Sequence, residues 1–203
     1  MEENSILKIT KSLQKNGIFR EDDLILFSEN IKIRSIKKDE ILLREGEICK
    51  SIFFVDDGAV YQHNEKDEIE QNVIDLHIEG EWLLNHTSFI AQKPSEGVIQ
   101  AYSDCNLVEL TLHSLHKLIG VSPTFFQLGK LLEPSNSRVS FFDNDLTPIQ
   151  KYDYILKNRP QLLQIFPLKI IASYLKITPE TLSRVRAKIM KEKAFLDYSQ
   201  VII

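Results

Sequence analysis

Residues 177–189 read ITPETLSRVRAKI, and in that stretch Glu180, Arg184 and Lys188 recur at every fourth position. On a helix, that spacing lines them up as one charged stripe. Each residue type has a distinct chemistry toward nucleic acid. Arginine can grip guanine O6 and N7 with two bonds, and glutamate can accept from cytosine N4. Lysine neutralises phosphate charge. Thr178 and Thr181 add hydroxyls, which bond phosphate oxygens. The same three charged residues would equally form ordinary ion pairs on a solvated helix, so the stripe needs support from its surroundings.

The surroundings supply it. Residues 168–187, LKIIASYLKITPETLSRVRA, fit a helix-turn-helix position by position. That motif buries apolar residues at its fourth, eighth, tenth, fifteenth and eighteenth positions, here Ile171, Leu175, Ile177, Leu182 and Val185. It takes a small residue at the fifth, where the helices cross, here Ala172. Thr178 can cap the second helix and Pro179 suits its first position. Leu182, Val185 and Ile189 give that helix an inner face. Lys176 departs from the glycine that the turn prefers, because the turn needs a positive φ.

Charge agrees with this placement. The 203 residues carry a net charge of −4, but residues 151–203 hold 10 basic and 4 acidic side chains, a net of +6. The other 150 residues are therefore at −10. Such asymmetry marks the C-terminal part as the one that meets a polyanion. No apolar run approaches the roughly 18 residues of a spanning helix, and the polar N-terminus MEENSILKITKSLQ is no secretory signal. A cytoplasmic protein is expected. Two cysteines, Cys49 and Cys105, are too few for a disulfide scaffold or an iron–sulfur site of about four thiolates.

Upstream, the elements that must carry this motif read differently. Residues 4–15 predict a short amphipathic helix and 19–30 a weaker second one. From residue 31 apolar and charged residues alternate, and short strands are expected across 31–47, then at 51–57, 59–64, 68–78, 96–102 and 106–111. Turn signals such as Asp56-Asp57-Gly58 separate them. Many short strands at such spacing predict an antiparallel sandwich or roll over about 30–112. After 112 the pattern becomes helical. Ser122-Pro123 is a helix start, and Phe125, Leu128, Leu132, Val139 and Phe142 form a seam that could face the roll or a second copy. Pro134 should kink that helix, and 142–148 reads as a linker. Helices follow at about 147–158, 160–165, 167–175 and 178–192.

ASYLKITPETLSRVRAKI closely resembles the C-terminal helix-turn-helix of the Crp/Fnr transcription regulators, the family of the cyclic-AMP receptor protein. KKDEILLREGEICKSIFFVDDGAVYQH and EGEWLLNHTSFIAQKPSEGVIQAYSDCNLVEL resemble the two halves of that family's β-roll, so the likeness spans about 20–200. It implies an α+β chain. An antiparallel, cyclic-nucleotide-binding-domain-like β-roll (1–118) would lead through a dimerisation helix (119–145) to a helix-turn-helix domain (146–203). FLDYSQVII, after the recognition helix, would supply one strand of a shortened wing. The family further implies a homodimer on double-stranded DNA, at a near-palindromic site with half-sites roughly 34 Å apart, and RNA polymerase as a candidate partner.

The resemblance puts Glu180 and Arg184 on base-reading positions and Thr178 and Thr181 on phosphates, with Ser183, Lys188 and Lys169 as further DNA contacts. Pro179 stands where the family has its first base-contacting arginine. An effector pocket would fall on Leu84, Asn85, Ser95, Glu96, Gly97 and Val98. There the phosphate-binding arginine of cyclic-nucleotide-binding relatives is missing, and Lys93 would be only a point charge without a fork. No response to cyclic nucleotide, no cofactor and no metal are therefore expected. His77 as a haem ligand, and His113 with His116 as a weak metal pair, are the remaining alternatives. The competing function is a small-molecule-binding roll whose helix-turn-helix serves protein interaction. A cupin-like enzyme lacks any nucleophile–base pair or metal cluster.

Overall fold

In a computed structural model the chain divides into two compact units, Met1–Val139 and Ser140–Ile203. The described residues are 2–67, 70–131 and 146–200, with side chains described over 4–64, 72–131 and 146–192.

The first unit opens with helices α1 (Glu2–Asn16) and α2 (Glu21–Ser28). Strands β1 (Lys32–Ile36), β2 (Ile41–Leu43), β3 (Ser51–Asp57), β4 (Ala59–Asp67), β5 (Glu70–Ile78) and β6 (Trp82–Leu83) follow. Then come α3 (His86–Ala91), β7 (Val98–Ala101), β8 (Cys105–Thr111) and α4 (Leu112–Val121). The strands form two four-stranded antiparallel sheets, ordered β1-β8-β3-β6 and β2-β7-β4-β5. The expected roll is there.

β3 shows why the sheets pair. Its Ile52, Phe53, Phe54 and Val55 are all buried, as a strand covered on both faces requires. Phe54 lies 5.2 Å from the Trp82 ring, centroid to centroid. The Trp82 indole N–H donates to Ser12 of α1 at 2.9 Å. Ile9 and Leu13, one turn apart on α1, are buried in the same core. Gly58 turns β3 into β4 at φ +91°, and a Cβ there would run into the Asp104 carbonyl. The sequence's turn glycine is thus fixed by both conformation and space.

Several elements differ in detail. The strands expected across 31–47 are β1 and β2, divided by a turn at Asp39, whose φ is 67°. β6 and α3 had no counterpart in the sequence pattern. The helix expected from Ser122-Pro123 begins as a 3-10 helix, Pro123–Leu128. Of its seam, Phe125 and Leu128 are buried in the roll's own core, which settles their side of that choice. Leu132, Pro134, Val139, Phe142 and positions 142–145 of the expected linker lie outside the described residues, and the linker's last residue, Pro148, already opens the next helix with Thr147 as its cap.

The second unit contains α5 (Pro148–Asn158), α6 (Leu162–Ile165), α7 (Leu168–Tyr174) and α8 (Pro179–Gln200). α5 starts with a reciprocal capping box between Thr147 and Gln150, satisfying two backbone donors at its N-terminus. Tyr152, Ile155, Leu162, Phe166, Ile171, Tyr174 and Leu182 are buried among these helices. A buried Arg159 donates from Nη1 to the Tyr174 hydroxyl at 3.0 Å. The shortened wing is overturned. α8 is one helix of 22 residues, not a helix over 178–192 followed by a strand. Between Pro179 and Gln200 no glycine or second proline interrupts it, and KEKAFLDYSQ contains no helix breaker.

Candidate nucleic-acid interface

α7 ends in two backbone hydrogen bonds, Lys176 N–H to Ser173 O and Ile177 N–H to Ala172 O, both 3.0 Å. This nested pair closes a helix when the residue after its cap is left-handed. That residue is Lys176, at φ 56°, the position at which the sequence called for glycine. A lysine there carries strain without breaking the turn. Lys176→Gly is expected to raise the stability of this unit by about 0.5–1 kcal/mol. A higher denaturant midpoint with unchanged slope would check it.

α8 starts where Thr178 and Pro179 predicted. The Thr181 N–H donates to Thr178 Oγ1 at 3.2 Å, and the Thr178 hydroxyl donates to Thr181 Oγ1 at 3.1 Å. Ile171, Ala172, Leu175, Leu182 and Val185 are buried, and Ile177 and Ile189 are half-buried. All six helix-turn-helix core positions thus face inward to some degree.

The opposite face is open. Thr178, Glu180, Ser183, Arg184 and Lys188 are exposed, as is Lys169 on α7, while Thr181 is half-buried. The Glu180 carboxyl is held below its ordinary value of 4.5. Its own backbone N–H at the helix start is the main cause, followed by the Thr178 hydroxyl and the Arg184 charge. It is therefore an ionised acceptor at neutral pH. Arg184 Nε donates to the Glu180 carbonyl at 3.4 Å, which draws the guanidinium toward the helix start. The face thus offers an anionic acceptor, a forked donor and hydroxyls within the first two turns. Lys191, absent from the sequence-based set, is also exposed. It continues the stripe at seven residues past Arg184, a signal that was present in the sequence.

The six effector positions come together only in part. Leu84 is buried in the roll core, Val98 is a buried strand residue of β7, and Glu96 is exposed. Asn85, Ser95 and Gly97 do meet. Asn85 caps α3 by accepting from the Ser88 N–H at 3.0 Å, and its Nδ2 donates to Ser95 Oγ at 3.0 Å. Ser95 Oγ donates to the Gly97 carbonyl at 2.6 Å. A Cβ on Gly97 would meet the His63 carbonyl at 3.0 Å and Ile74 Cδ1 at 3.1 Å. Lys93 is exposed; its carbonyl accepts from Ser88 Oγ at 2.5 Å.

The other sensor candidates fare as follows. His77 is fully buried, with Nε2 3.0 Å from Gln62 Nε2 and 3.4 Å from Asp75 Oδ2. His113 and His116 are both exposed on α4. Among the described residues no group of three or more His, Cys, Asp or Glu is placed to hold a metal ion. Cys49 and Cys105 are free and buried, and burial pushes both thiols above their ordinary value, which disfavours the thiolate that metals bind. No described helix is long and apolar enough to cross a membrane.

Residues 33–121 match the sequence profile of the cyclic nucleotide-binding domain. No curated protein sequence matches the chain. Among solved structures it is similar to FixK2 from Bradyrhizobium japonicum, at 17% identity over 80% of this chain and 86% of that one, with a TM-score of 0.65. It is similar to the c-di-GMP responsive global regulator CLP of Xanthomonas campestris, at 18% identity over 86% and 93%, TM-score 0.58. A protein from Eubacterium rectale described as a regulator of the crp/fnr family aligns at 17% identity over 86% and 85%, TM-score 0.59. The roll and the helices after it therefore have the fold found in Crp/Fnr regulators.

Proposed function

We propose that this chain is a dimeric, sequence-specific transcription regulator of the Crp/Fnr type. The first turns of α8 lie in the major groove of double-stranded DNA, and the protein has no catalytic role. The observation that carries this reading is the exposed face of Thr178, Glu180, Ser183, Arg184 and Lys188 over a buried helix-turn-helix core. Glu180 and Arg184 read base edges. Thr178, Thr181, Ser183, Lys188 and Lys169 bind phosphates or steady the register.

Two copies place two such helices on a near-palindromic site with half-sites roughly 34 Å apart. RNA polymerase is the further partner, and the cytoplasm the compartment. The dimer contact is assigned to the segment 119–145 between the roll and the helix-turn-helix domain, whose described part begins with the end of α4 and a separate 3-10 helix rather than one continuous helix. Pro179 leaves one base pair of each half-site less strictly read than in arginine-bearing relatives. The roll does not respond to cyclic nucleotide. Ser95 and Glu96 occupy the stretch in which a cyclic phosphate would need an arginine.

The test is selection from a random duplex library by the purified protein with no ligand added. Enrichment of a near-palindrome, with affinity falling steeply as salt rises, is the expected result. Enrichment of nothing, with or without nucleotide, refutes the reading and leaves the helix-turn-helix as a protein-interaction element.

A further inference from the structure

At the effector positions Asn85, Ser95 and Gly97 are bonded to one another. Ser95 is the hub. Its N–H donates to the Glu47 carbonyl and its carbonyl accepts from the Gly46 N–H, both at 2.8 Å. Its hydroxyl accepts from Asn85 Nδ2 at 3.0 Å and from the Gly97 N–H at 3.2 Å, and donates to the Gly97 carbonyl at 2.6 Å. Ser88, one turn into α3, repeats the pattern. Its hydroxyl accepts from the Cys49 N–H at 2.9 Å and donates to the Lys93 carbonyl. Ile48 and Pro94 form an isolated bridge beside them. Three separate stretches, 46–49, 85–88 and 93–97, are thereby stitched together through two buried serines.

A slot that takes an anion must keep donors open to solvent and supply a cation. Here the Asn85 amide, the Ser95 hydroxyl and the Ser95 and Gly97 N–H groups are already bonded, Ser95 is 2% exposed, and the space over Gly97 holds the Ile74 side chain. An entering ligand would have to break these bonds in a buried setting, and each donor or acceptor left unmade is costly.

We propose that the Asn85–Ser95–Gly97 fastener takes the place of an effector. It holds the roll in one state without any small molecule, so that DNA binding is constitutive. The second half of this statement rests on the DNA-binding reading above; the first does not.

The test combines amide exchange with DNA affinity, with cyclic AMP, cyclic GMP and cyclic di-GMP as probes. The variant is Asn85→Asp. Aspartate still caps α3 but cannot donate to Ser95 as a carboxylate. In the unaltered protein the amides of Ser88, Ser95 and Gly97 should be protected equally with and without each nucleotide. In Asn85→Asp the amides of Ser95 and Gly97 should exchange about tenfold faster, the scale of one lost buried hydrogen bond, while that of Ser88, still capped by residue 85, stays protected. Ser95→Ala should do the same while leaving the α3 cap intact. Affinity for the selected duplex should be unchanged by any of the nucleotides. Nucleotide-dependent protection, a nucleotide-dependent change in DNA affinity, or unchanged exchange in both variants overturns the proposal. If no duplex is selected under any condition, the DNA-binding reading fails and constitutive binding with it. The exchange data then still decide whether the fastener exists.

Discussion

Arg184→Ala is expected to weaken binding to the selected duplex by about 10- to 100-fold, the discrimination of one bidentate arginine–guanine contact. The loss should fall on the specific site. Binding to unrelated duplex should drop little, because one charge among several phosphate contacts is a small part of the salt-dependent term. Arg184→Lys separates the two roles. It keeps the charge and loses the fork, so it should retain non-specific affinity and still fail to discriminate. The side chain is exposed and its described hydrogen bond, to the Glu180 carbonyl, is at 3.4 Å, so neither change should unfold the helix. Affinities on selected and scrambled duplexes over a salt series provide the measurement. Equal weakening on both would make Arg184 a phosphate contact, not a reader.

Leu182→Ala is expected to destabilise the second unit by about 2–5 kcal/mol. Leu182 is 0% exposed and lies on the inner face of α8, under the outer stripe. Removing its side chain leaves a void in the buried interior of this unit, in which Ala172 is also fully buried. A small helical unit has only several kcal/mol in total, so a large part of its population should unfold. The chain's single tryptophan gives a clean control. Trp82 lies in the roll, against Phe54 and Ser12. Its fluorescence midpoint in denaturant should hold while the helical circular-dichroism signal moves to lower denaturant. A matching shift in both signals would contradict the idea that Leu182 supports the second unit alone.

The helix-turn-helix was legible in the sequence because its constraints are local. Ile171, Ala172, Leu175, Ile177, Leu182 and Val185 lie within fifteen residues, and Thr178-Pro179 marks the helix start chemically. The roll was legible because alternation with turn residues between is a period-two signal. What the sequence hid was short or distant. β6 has two residues and α3 has six, below the length at which periodicity speaks. α3 also ends on a left-handed Gln92 at φ 49°, with no glycine to announce it. The fastener could not be read at all, since Cys49 meets Ser88 across 39 positions. The wing was misread for another reason. FLDYSQVII has the aromatic and β-branched content of a strand. Through Gln200, however, it simply prolongs a helix that nothing interrupts.

That prolonged helix sets a boundary on evolutionary coupling. At 1.5 Å per residue, the 22 residues of α8 make a rod of about 33 Å. The major groove is about 12 Å wide and curves around the duplex axis, so a straight rod leaves it after a few turns. In the proposed docking the first turns of α8 meet the duplex and its last turns do not. Substitutions in the last turns are thus free of the base code. Lineages could remodel that end to meet new proteins while keeping the same operators, and the reverse holds for changes confined to the first turns.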